Sequence, residues 1–88
     1  MVILTEQRIA KAKEYIAQGD YGTAGRLVNA ARGDAPASRD LQEMRAQVLL
    51  GQHKYDDAYA LTTELLPQYP NSVPLVQVRA AALARQGN

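Results

Sequence analysis

The chain has 88 residues, of which 47% are apolar and 22% charged, with a formal net charge of +1 and no cysteine. That is the length of one domain, and it excludes a disulfide framework and a thiolate metal site. Ten Lys and Arg interleaved with nine Asp and Glu give no basic stripe for nucleic acid, and no apolar run approaches the ~18–20 residues of a membrane span.

Ile9, Ala12 and Ile16, with Ala10 and Tyr15 beside them, predict a helix over 5–18 capped by Thr5. The preceding "MVIL" is too brief for a signal peptide. Gly19 suits a left-handed stop and Asp20 a cap for the second helix. Ala24, Leu27, Val28 and Ala31 stripe that helix, which "GDAP" at 33–36 ends. Ser38 caps a third, carrying Leu41, Met44, Val48 and Leu49; "GQHK" at 51–54 breaks it. Ala58, Leu61 and Leu65 mark a fourth, closed by "PQYP" at 67–70. Asn71 or Ser72 caps a fifth, with Pro74 in its first turn, where a missing N–H costs nothing. Its apolar face is expected to be Leu75, Val76, Ala80 and Leu83. Period-two alternation is absent, so no strand competes.

The chain repeats itself. Ala12, Gln18, Tyr21, Ala24, Leu27, Pro36 and Ser38 recur 34 positions on as Ala46, Gln52, Tyr55, Ala58, Leu61, Pro70 and Ser72. Leu41, Arg45, Ala46, Leu49 and Gln52 recur again as Leu75, Arg79, Ala80, Leu83 and Gln86. A gapless repeat of helix–turn–helix length is the mark of a stacked array. Ala12, Ala46 and Ala80, with Ala24 and Ala58 on the second helices, are small where helices should cross. Tyr21 and Tyr55 should fill the turn between the helices, hydroxyls outward. Gly22 and Gly25 weaken the second helix by about 1 kcal/mol each relative to Ala.

In its repeat length, its "GDYGTA" and "KYDDA" turns and its closing prolines, the chain resembles the tetratricopeptide repeat family. It departs from that pattern in the first helix of each unit. There Arg8 and Lys11, Gln42 and Arg45, and Val76 and Arg79 stand where the family has Trp and Leu, and His53 replaces Gly19 in unit two. The resemblance implies an all-α fold, a right-handed α-solenoid of five helices. It reads as one domain over 1–88: repeat one at 5–38, repeat two at 39–72, and the first helix of a third at 73–88. Helix 73–86 is rich in Val, Leu and Ala where an end helix should be polar outside. The chain therefore reads as a segment of a longer array, and that helix as a surface for self-association.

No catalytic constellation stands out, and the expectation is a protein that is not an enzyme and carries neither cofactor nor metal. His53, the single histidine, reads as a solvated turn residue tolerant of unusual backbone angles. Asp56 and Asp57 read as helix-dipole partners. Lys11, Arg45 and Arg79 share one repeat position and read as one ion-pairing or inter-helix role used three times.

The remaining candidate is a groove. The resemblance implies that the first helices of successive units line a concave surface facing a protein or peptide partner. By repeat position, Glu6, Ile9, Lys13, Ile16 and Ala17 would face inward in unit one. Unit two would contribute Asp40, Glu43, Gln47, Leu50 and Gly51, and unit three Pro74, Gln77, Ala81, Ala84 and Arg85. Ile16 and Leu50 are apolar where solvent is expected, and belong either to the core or to the groove. Ile9, Lys13, Glu43 and Gln47 do not reproduce the carboxylate clamp of some family members, which argues against a receptor for chaperone tails. The leading expectation is an interaction module without nucleic-acid binding or membrane insertion. The rival is a structural spacer or assembly segment of a larger protein, bacterial by its seven Arg to three Lys, of the envelope or a secretion machine. The compartment, cytoplasm or periplasm, is left open by the sequence.

Overall fold

The computed structural model describes residues 2–32 and 38–86. Five helices succeed one another: α1 (Val2–Gln18), α2 (Tyr21–Arg32), α3 (Arg39–Gly51), α4 (Tyr55–Leu65) and α5 (Val73–Gln86). The described residues contain no strand, and no helix among them is long and apolar enough to cross a membrane. The closing proline expected at Pro36 lies outside the described residues.

The turns explain the boundaries. α1 ends in a Schellman motif: Gly19 sits at φ 82°, its N–H donates to Ile16 O at 3.0 Å, and Asp20 N–H donates to Tyr15 O at 2.8 Å. α3 ends the same way one repeat later. There His53 takes φ 64°, its N–H donating to Leu50 O at 3.1 Å and that of Lys54 to Leu49 O at 2.9 Å. Asp20 then caps α2 by accepting from Thr23 N–H at 3.2 Å, and Ser38 caps α3 by accepting from Leu41 N–H at 3.4 Å. The fifth cap is Ser72, not Asn71: its Oγ accepts from Leu75 N–H at 3.3 Å. Its hydroxyl also donates to the Glu43 carboxylate, which fixes the start of α5 to α3. α1 corrects the expected boundary. It begins at Val2, so Thr5 lies inside the helix; nothing between 2 and 5 breaks a helix, and a threonine succeeded by good helix formers is a weak stop.

The helices stack in series. α1 packs along α2 and α4 along α5, while α3 touches all four others. The result measures 42 × 27 × 18 Å, a slab rather than a sphere. Two apolar clusters fill it. One joins Ala12, Val28, Ala31, Leu41 and Met44; the other joins Ala46, Ala58, Leu61, Leu65, Leu75, Val78 and Ala82. Ala12, Ala24, Ala46 and Ala58 are all completely buried, as close helix crossings require.

α5 departs from expectation. Its buried face is Leu75, Val78 and Ala82. Val76 and Leu83 are each 50% exposed, Val73 is 62% exposed, and Ala80 also faces solvent. An apolar residue on nearly every face gives periodicity no direction to choose. Ala46, the repeat-mate of Ala80, is sealed because α4 comes after α3 and covers it; among the described residues no helix does the same for α5.

Candidate interaction groove

α1, α3 and α5 lie side by side and leave an open cavity of about 630 Å³ on one face. That is within the size range of ligand clefts. Ile16 comes from α1, Gln47 and Leu50 from α3, and Gln77, Ala81 and Arg85 from α5, each one or two turns from the next along its helix. A second hollow of about 380 Å³ adjoins it and shares Ile16, Gln47 and Pro74. Lys13, Ala17, Asp40 and Glu43 complete its rim.

Ile16 and Leu50, left open between core and groove, do both. Each is half-buried, Ile16 against the first cluster and Leu50 against the second, and each lines the larger cavity. Ile9 packs on the first cluster and lines neither hollow. Glu6 and Ala84 are exposed and also outside both. Lys13 is paired with Asp40 at 3.7 Å. Glu43 accepts from Arg39 Nε at 3.2 Å as well as from Ser72. With its side chain only 13% exposed, it works as a brace between α3 and α5.

Three lining residues come from outside the first helices, where repeat position could not find them: Tyr21, His53 and Tyr55. The turn between paired helices brings them to the cavity edge. The Tyr21 ring lies flat enough on α3 that a Cβ at Gly51 would collide with it. His53 Nδ1 is 2.6 Å from Tyr55 Oη, and the two rings meet edge to face at 5.8 Å. Arg85 donates from Nη1 to Tyr55 Oη at 3.1 Å. The signal in the sequence is the recurrence of Tyr21 as Tyr55, which by itself points only to a turn-filling ring.

The shared position of Lys11, Arg45 and Arg79 does not carry one shared role. Lys11 pairs with Glu14 at 3.4 Å, and Arg45 donates to Gln42 Oε1 at 2.6 Å. Arg79 lies over the Tyr59 ring at 4.9 Å and donates to its hydroxyl at 3.1 Å. Asp56 and Asp57 do occupy the first turn of α4, and Asp56 also accepts from Gln86 Nε2 at 2.5 Å.

A family model described as tetratricopeptide repeat matches residues 15–85. The chain belongs to the tetratricopeptide repeat family. Curated proteins and solved structures give no significant match. Tetratricopeptide repeats are in general protein–protein interaction modules, typically scaffolds without catalysis. The helical-repeat solenoid described above is the architecture that goes with them, and the first helices α1, α3 and α5 form the grooved face of this tetratricopeptide array.

Proposed function

We propose that the chain is a non-enzymatic module that receives a peptide or protein segment in the groove of α1, α3 and α5. The observation that carries this reading is the cavity of about 630 Å³. It is open to solvent, floored by aliphatic side chains and edged by Gln47 and Gln77 amides, a pattern suited to gripping a partner's side chains and backbone. A photo-crosslinking side chain placed at Gln77 in the source cell should capture a partner that the same group at Thr63, exposed on α4 away from both hollows, does not. Equal capture at the two positions would overturn the reading.

The outer face of α5 supports a second, structural role. Val73, Val76 and Leu83 recur at spacings of three and seven on one side of that helix, where an assembly segment would seat a further helix or another copy of the chain. Sedimentation over a wide concentration range tests self-association. Val76→Lys with Leu83→Lys should shift an oligomer toward monomer; a strict monomer at high concentration removes self-association from this role.

A further inference from the structure

Arg85 differs from the other cation of the grooved face. Lys13 is neutralised by Asp40 at 3.7 Å, whereas Arg85 meets no carboxylate within ion-pair distance among the described residues. It is held instead by a neutral ring. Its Cζ lies 5.7 Å from the Tyr55 centroid, its Nη1 donates to the phenol oxygen, and that oxygen is also 2.6 Å from His53 Nδ1. This arrangement orients the guanidinium without cancelling its charge, and among the described residues the Nε and Nη2 hydrogens meet no partner. Ala81 is one helical turn away on the same face. Beyond it the cavity floor is made by Ile16, Leu50 and Val78. No lining residue of this cavity is acidic.

We infer that the groove selects an aliphatic–acidic segment of its partner, seating an aliphatic side chain on Ile16, Leu50 and Val78 and a side-chain carboxylate on Arg85. The inference rests on the proposed groove function and adds the partner's chemistry to it. The cavity is charge-complementary to a carboxylate and to no cation. The guanidinium's adjacent Nε–H and Nη2–H, which meet no partner among the described residues, match a carboxylate's two oxygens. Tyr55 is a positioning residue: it fixes where the guanidinium stands.

The test uses three capped octapeptides, acetylated and amidated so that only the central side chain carries charge: GSLLDLGS, GSLLNLGS and GSLLKLGS. Each is titrated into ¹⁵N-labelled protein while the backbone amides and the Arg Nε–H signals are recorded. The aspartate peptide should shift Arg85 Nε–H and the amides of Gln47, Leu50 and Ala81. It should bind at least about fivefold tighter than the asparagine peptide, and the lysine peptide most weakly, because a hydrogen bond to a charged group outweighs a neutral one. The gap should close in Arg85→Gln, which removes an exposed charge and its contact with Tyr55, and shrink at about 0.5 M salt. If aspartate and asparagine peptides bind alike in the groove, or the lysine peptide binds best, this inference fails while the groove reading stands. If none of the three moves a groove signal, both fail.

Discussion

His53 occupies the left-handed region at φ 64°, where Gly19 stands in the preceding turn. A side chain there costs roughly 1–2 kcal/mol relative to glycine. The exposed contact with Tyr55 returns part of that. His53→Gly should therefore raise stability by up to about 1 kcal/mol, and His53→Ala, which keeps the strain and loses the contact, should lower it. Urea midpoints of the two variants, falling on opposite sides of the parent, check this. The alanines make the converse case. Ala24 and Ala58 are wholly buried at helix crossings, and Ala24→Leu or Ala58→Leu should cost roughly 1–3 kcal/mol by overpacking, read as a lowered melting temperature. Both sets of positions are legible in the sequence, because a position that recurs at a fixed interval must satisfy the same local geometry twice, whether its residue is kept, as at Ala24 and Ala58, or changed, as at Gly19 and His53. The Tyr55–Arg85 contact is not. It joins residues 30 apart, at positions that do not correspond within the repeat, so no periodicity announces it.

The helices differ in how much their own sequences decide. α2 carries Gly22 and Gly25 for different reasons. A Cβ at Gly22 would find only Asp20 Oδ1, at 4.0 Å, whereas at Gly25 it would meet Val48 Cγ1 at 3.2 Å. Gly22→Ala should thus stabilise the helix by up to about 1 kcal/mol through propensity alone, which a thermal melt will show. Gly51→Ala should do the opposite, because the Tyr21 ring must move to admit the new methyl group; the shift of that ring is visible in aromatic proton spectra. At the head of α5, Ser72→Ala removes a fully buried cap that also ties Glu43. A loss of about 1–2 kcal/mol is expected by denaturant titration. Capping residues and stripes suffice to establish that each element exists. They do not set the rotation of α5, since Val76, Ala80 and Leu83 are as apolar as the residues it buries, and only the presence of neighbours decides which side faces in. Glu43 escapes a sequence reading for a related reason. Repeat position puts it on the grooved face, and its hold on Ser72 depends on how α5 lies across α3.

At the scale of the molecule, the repeat reveals the serial stacking of helices but only part of the cavity. Of the residues that the family resemblance put on the inner face of α1, α3 and α5, the structure brings Ile16, Gln47, Leu50, Gly51, Pro74, Gln77, Ala81 and Arg85 to the larger cavity, while Glu6, Ile9 and Ala84 line neither hollow. Tyr21 and Tyr55 enter from the heads of α2 and α4 and His53 from the turn before α4, on a path set by packing, not by period. Neighbour-only contact also sets how the molecule comes apart. α3 lends Leu41 and Met44 to one cluster and Ala46 to the other. Its amides should exchange with solvent most slowly, and those of α1 and α5 sooner, in native-state hydrogen exchange. A hinge of this kind gives the protein two leaves on one spine. Either leaf can loosen while the other stays shut, and a guest lying across α1, α3 and α5 would clasp both, so that its arrival registers as sharper unfolding even where no helix has moved.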